Sequence, residues 1–82
     1  MPRYFIDSDD GDLNVVDEEG YDLPGPQDAR RMAIDVLPDM AREKIPDGDR
    51  RVFSTRVRDE AGTVIYSASL SLVGEWHVAS ET

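Results

Sequence analysis

Residues 52–72 read VFSTRVRDEAGTVIYSASLSL, two runs of alternating character around one polar turn. In 52–58 the odd positions Phe53, Thr55 and Val57 form the bulkier apolar set, and Ser54, Arg56 and Arg58 alternate with them. In 63–72 the parity reverses: Val64, Tyr66, Ala68, Leu70 and Leu72 are even, with Thr63, Ile65, Ser67, Ser69 and Ser71 on the odd positions. Alternation of this kind marks strands with one covered face. Directly opposed residues of an antiparallel pair share a face, so an odd core set has to oppose an even one. A loop over 59–62 that pairs Arg58 with Thr63 does this, facing Val57 with Val64, Thr55 with Tyr66 and Phe53 with Ala68. A type I turn with a glycine bulge would shift the pairing by one and face Val57 with Ile65; the first register is the expected one.

Upstream, from Asp28 to about Ile45, the apolar residues Ala29, Met32, Ala33, Val36, Leu37, Met40, Ala41 and Ile45 recur every three or four positions, the spacing of an amphipathic helix. Gln27 or Asp28 sits where a side chain can satisfy free amides at the helix start, and Pro46 with the Asp47-Gly48-Asp49 run ends it. Pro38 conflicts with this pattern, because an interior proline removes a hydrogen bond to the carbonyl of Ile34. The apolar stripe keeps its phase past Pro38, so a kink near 34–38 with the helix continuing is expected, with two short helices as the alternative.

The N-terminal third reads as a hairpin. Residues 3–7 and 13–17 are strand-like, and Asp10-Gly11 between them favours a two-residue turn, which would face Asp9 with Asp12, Ile6 with Val15 and Phe5 with Val16. Both faces of that hairpin carry apolar side chains, which calls for cover on both sides. Glu18-Glu19-Gly20 reads as a turn, and Tyr21-Asp22-Leu23 as a short extended piece before the Pro24-Gly25-Pro26 break. The order strand, strand, helix, strand, strand predicts a small two-layer α+β domain, β-β-α-β-β, with one amphipathic helix packed on a face of an antiparallel sheet. The domain is expected over 1–73, followed by a loosely ordered tail over 74–82 in which Trp76 docks on the domain or on a second copy.

The chain has 82 residues, 39% hydrophobic and 33% charged, and no cysteine. That length supports one modest core and no deep cleft within a single copy. Without cysteine there are no disulfides, thiolate nucleophiles or thiolate metal sites. The start MPRYFIDSDD lacks the apolar stretch of a secretion signal, and no segment reaches the roughly 20 apolar residues of a membrane span, so a soluble cytoplasmic protein with no membrane contact is expected. The net charge of −9 is unevenly spread: −8 over 1–28, +3 over 29–58 and −4 over 59–82. Such a field disfavours general nucleic-acid binding while leaving a local basic face.

Several chemistries fail on spacing. With Gly11 as the sixth residue of a calcium loop, Ile6 and Asp17 fall where an acidic oxygen and a bidentate glutamate are needed, and starting at Asp7 moves the glycine to the fifth place. The Asp-Glu-x-Gly sets at 17–20 and 59–62 are what tight turns select. Histidine chemistry would rest on His77 alone, and neither a nucleophile elbow nor a phosphate-cradling glycine loop is present. No enzyme is expected, and no cofactor, metal or small-molecule substrate. The candidate surface is the outward face of the last hairpin, with Arg50, Arg51, Arg56, Arg58 and Ile65. In the expected register Arg56 faces Ile65, Arg58 faces Thr63, Ser54 faces Ser67 and Val52 faces Ser69.

The segments MPRYF with the following Ile6 and Asp7, DEEG-YDLP at 17–24, DARRMA at 28–33 and IPDGDRRVFSTRVRDEAG at 45–62 together resemble a family of short proteins from rhizobia and related alphaproteobacteria. The resemblance covers nearly the whole chain. It implies a bacterial origin and one small domain of unknown function, and it brings no catalytic or binding residues. Pro38 departs from such helices, which more usually carry an ordinary helix former there. The expectation is therefore an interaction or self-association module, a homodimer or another protein being its partner. The alternative is a nucleic-acid-linked regulator of the antitoxin kind that uses the 50–58 strip.

Overall fold

The computed structural model describes residues 1–44 and 48–77. Its elements are β1 (Arg3–Asp9), β2 (Asn14–Val15), β3 (Tyr21–Asp22), α1 (Pro26–Lys44), β4 (Arg50–Arg58) and β5 (Val64–Val73). All strand pairs are antiparallel, in the order β2-β1-β4-β5, with β3 also paired to β1. This is the expected α+β domain with one helix on one face of the sheet.

Helix α1 opens at Pro26, two residues earlier than the expected start at Asp28, because a proline at the first helical position already has a suitable φ and no amide to leave unpaired. It buries Ala29, Ala33, Leu37 and Ala41, one residue per turn. Three alanines on that line let the helix axis approach the sheet closely. Pro38 lies inside a continuous helix on its exposed side, so the two-helix alternative does not hold. Ile45 lies outside the described residues.

The core has two adjoining parts. Tyr4, Ala29, Ala33 and Val57 form one, with Ile6, Leu23 and Tyr66 against it, and Leu37, Ala41 and Phe53 form the other, with Met40 and Ala68 alongside. Thr55, buried between the layers, donates its hydroxyl to the Ala33 carbonyl at 3.0 Å. Even residues of β1 and odd residues of β4 therefore face the helix, and the opposite face carries no helix.

Both hairpins differ from the sequence-based registers. In the first, Ser8 pairs with Val15 and Asp9 with Asn14, so four residues, Asp10 to Leu13, make the turn. Gly11 takes φ 98°, while Asp10 Oδ1 accepts from the Asp12 and Leu13 amides and Asp9 Oδ1 from Gly11. Side-chain acceptors stabilise a wider loop here than the two-residue turn requires. In the last hairpin the parity is as expected, but Val57 pairs with Tyr66, Thr55 with Ala68 and Phe53 with Leu70, two residues beyond the expected register. The turn, closed by Gly62 at φ 86° with its amide on the Asp59 carbonyl, pairs Arg58 with Val64 and contributes one step. A bulge between Val57 and Arg58 contributes the second.

Residues 74–77 have no regular secondary structure, and the Gly74 amide donates to the Asp49 carbonyl. Trp76 is 87% exposed, so it does not dock on its own domain: the chain leaves the edge of the sheet past Val73 and carries the indole away from the core.

Candidate functional site

The outward face of the sheet begins with Asp7, on the uncovered side of β1 and yet only 4% exposed. Arg58 reaches it diagonally across the β1–β4 ladder, with Nε donating to Oδ2 at 2.8 Å and a terminal amino group to Oδ1 at 3.0 Å. The same arm donates to the Asp17 carbonyl, and its guanidinium lies 5.1 Å from the centre of the Phe5 ring. Asp7 Oδ1 also accepts from the Asp17 amide. Asp17 in turn accepts from the Ile6 amide through Oδ2 and from the Glu19 and Gly20 amides through Oδ1. The β1 edge is thereby shared out: β2 pairs with its far end, β3 with its start, and the Asp17 carboxylate satisfies the amide between them.

The electrostatics follow from this geometry. The Arg58 hydrogen bonds hold the pKa of the Asp7 carboxyl below the ordinary carboxylate range against the opposing effect of burial, and Asp7 raises the pKa of Arg58 in return. Burial pushes the Asp17 pKa up, but the amides of Gly20, Ile6 and Glu19 outweigh it and the pKa is also held low.

The candidate residues are thus not one free basic strip. Arg58 is inside the Asp7–Asp17 network. Arg51 donates to the Asp10 carbonyl at 2.8 Å and pairs with Asp12 at 3.0 Å. Among the described residues, Arg50 and Arg56 have no carboxylate within ion-pair distance, and Arg56 stands opposite Asp7 in the ladder. The facing pairs are also corrected by the turn and the bulge: Arg56 faces Ser67, Arg58 faces Val64, Ser54 faces Ser69 and Val52 faces Ser71. Ile65 stands at the bulge, 42% exposed. What brings Asp7 to Arg58 is the β1–β4 pairing, a long-range neighbour relation that alternation within each strand does not reveal.

The feature that the sequence pattern left unremarked is the free edge of β5. This strand has ten residues, pairs with β4 on one side and has no described strand on the other. From Thr63 to Gly74 no residue is charged, in a chain that is one-third charged. Val64, Ile65, Leu70 and Val73 are exposed along it. Between this edge and α1 runs a shallow groove of about 320 Å³, lined by Ile34, Leu37, Pro38, Ala68, Ser69 and Leu70, with almost no polar wall. A larger open hollow of about 580 Å³ lies across the domain, between α1 and the 15–21 segment, with Met32 and Val36 on one side and Val16 and Tyr21 on the other. Three acidic residues line it, Asp17, Glu18 and Glu19, and the Asp17 carboxylate is already occupied by three amides. Among the described residues no His, Asp and Glu side chains gather in groups of three that could hold a metal ion, and no helix is long and apolar enough to cross a membrane.

A family model described as a domain of unknown function, DUF6894, matches residues 3–71. The chain belongs to this family. The match runs from the first residue of β1 nearly to the end of β5, so the DUF6894 unit contains the helix and all of the sheet except the last two residues of β5. No curated protein matches the chain, and no solved structure does.

Proposed function

We propose that this DUF6894 chain is a non-catalytic protein-interaction module that acts by strand addition along the free edge of β5. One observation carries the reading: a ten-residue edge strand without a charge or a proline. Sheet proteins ordinarily blunt such edges with lysine, proline, bulges or short strands, because unpaired backbone groups template pairing with another chain. The opposite edge of this sheet follows that rule, with the two-residue strands β2 and β3 set among acidic turns. In β5 the one bulge lies at the turn end, opposite Val57 and Arg58, and the stretch beyond it is unguarded. Backbone pairing would supply affinity there, and the adjacent apolar groove would select side chains.

The nucleic-acid reading has less to stand on. Two of the four arginines in the strip are held by this chain's own acids, and Arg50 and Arg56 alone would neutralise about two phosphates, a weak electrostatic footprint.

Site-specific photo-crosslinking in the native cell tests the module. A benzophenone side chain in place of exposed Ser69 is expected to give a protein adduct, and one in place of Arg31, on the solvent side of α1, is not. No adduct at position 69 would sink the reading.

A further inference from the structure

The β5 sequence is close to symmetric in polarity about Ala68. On either side stand Ser67 and Ser69, then Tyr66 and Leu70, then Ile65 and Ser71, then Val64 and Leu72. Only the third step breaks the match, and it falls at the bulge beside Val57. A strand with this pattern is complementary to itself when turned end for end.

Resting on the strand-addition reading, we infer that the strand added to β5 is the β5 of a second copy, antiparallel, about a two-fold axis through Ala68. Opposed residues then have numbers of equal parity, so both helices lie on the same face of one continuous sheet. Tyr66 faces the partner's Leu70 and Leu70 faces the partner's Tyr66. Small Ala68 residues meet at the axis, and on the outer face Ser67 faces the partner's Ser69. The groove beside α1 is closed at the same time, because the partner's Tyr66 comes beside Leu70 and the Ile34–Pro38 flank of the helix. Both grooves close in one symmetric contact, and the interface uses itself up without leaving an edge for a third copy.

Charge permits this approach. The acid-rich β1–β3 end lies on the far side of β4, roughly 10–15 Å from the axis at about 4.8 Å per strand, so the acidic ends of the two copies are separated by well over the ~8 Å screening length of physiological salt. The interface rests on backbone pairing and the uncharged side chains of β5, with one charge beside it in each copy, the Arg30 guanidinium 5.8 Å from the centre of the Tyr66 ring. Its strength should therefore change little between low and high salt, whereas pairing of an acidic edge with a neighbour's arginines would weaken as salt rises.

The test is light scattering with sedimentation equilibrium on the purified full chain from about 1 μM to 1 mM, a span that brackets typical weak, specific affinities. The expected result is a reversible shift from 9.2 kDa to twice that mass. Leu70→Lys, at a position already 41% exposed in the single chain, is expected to weaken the dimer about 100-fold or more, because the charge would be buried against the partner's Tyr66. A second pair of variants reads the register without touching the core. Ser67→Glu with Ser69→Glu sets like charges opposite one another on both sides of the axis and weakens the dimer about tenfold, and Ser67→Lys with Ser69→Glu restores it. Val16→Lys, on the opposite side of the domain, leaves it unchanged. A mass of 9.2 kDa throughout, or a dimer indifferent to all the β5 variants, overturns the second copy as partner. If the chain is monomeric and the position-69 crosslink captures a different protein, the module reading stands without self-pairing. Monomer and no crosslink together remove both.

Discussion

Arg58 grips both carboxylate oxygens of Asp7 with parallel hydrogen bonds of 2.8 and 3.0 Å, across 51 residues of chain. Asp7 is almost wholly buried, and three-quarters of the Arg58 side chain is covered as well. The pair joins the two central strands on the face that α1 leaves bare, and through Asp17 it fixes the turn that leads to β3. Two of the four arginines of β4, Arg51 and Arg58, are thus paired with acids of the N-terminal third within one copy.

Removing one member should be costly, because it leaves the other covered and unpaired. Asp7→Asn keeps the shape but removes the charge, and it is expected to lower unfolding free energy by about 2–4 kcal/mol, a large share of the roughly 5–10 kcal/mol of a domain this small. Urea unfolding of the two proteins measures the difference. A loss below about 0.5 kcal/mol would mean that the pair behaves as a solvent-exposed one.

The same pair sets an acid limit. Asp7 and Asp17 both have folded-state pKa values below the ordinary 3.8, so their ionised forms stabilise the fold. That contribution is fully present above the unfolded value of about 3.9 and is lost as pH falls through the lowered folded values. Melting temperature should hold nearly level from pH 7 to about 5 and drop below about 4. Asp7→Asn should start lower at pH 7 and fall less over the acid range, because one of the linked protons is gone; Asp17 and Asp10, which backbone amides also hold below the ordinary value, keep theirs.

Gly20 and Gly62 share a left-handed backbone, φ 75° and 86°, and differ in their surroundings. A Cβ at Gly20 would stand 2.9 Å from the Tyr4 carbonyl oxygen, the Phe5 ring and the Arg3 side chain, whereas at Gly62 nothing lies within 4 Å. Alanine at 62 meets only the conformational cost, about 1–2 kcal/mol. Alanine at 20 must also push the 17–20 turn off β1 and loosen the Asp17 carboxylate. The expected order of stability is wild type, then Gly62→Ala, then Gly20→Ala, with at least about 1 kcal/mol between the last two in denaturant unfolding.

The sequence made the helix and the inward parity of β4 and β5 legible because both depend on local periodicity. Ala29, Ala33, Leu37 and Ala41 announce their face, and Phe53, Thr55 and Val57 must oppose even residues in any workable register. A shift of two residues preserves that parity, so alternation could not detect the turn and bulge that together move Thr55 from Tyr66 to Ala68. The first hairpin was misread for a related reason. Asp10-Gly11 marks a turn, but the carboxylate of Asp10 accepts from two amides beyond it and widens the loop to take in Leu13. The arginines were legible as a basic strip only while their partners were unknown. Asp7 and Asp12 lie in another strand and another turn, and nothing local assigns them to Arg58 and Arg51.

Pro38 offers the opposite kind of test, since the fold tolerates it without using its ring in the core. It lies on the exposed side of α1, where its missing amide leaves the Ile34 carbonyl without the usual helical donor. An interior proline is about 3 kcal/mol worse than alanine in a helix, and alanine gives back about 0.4–1 kcal/mol through a freer unfolded chain. Helix geometry already adapted to the ring reduces the gain further. Pro38→Ala should still stabilise the domain by about 1–2 kcal/mol, raising the melting point by roughly 5–10 °C at this size. The measurement belongs near 1 μM protein, where association across the nearby β5 groove contributes least to the transition. A neutral or lowered melting point would show that the proline ring, through its contact with that groove, supports the fold more than the lost hydrogen bond weakens it.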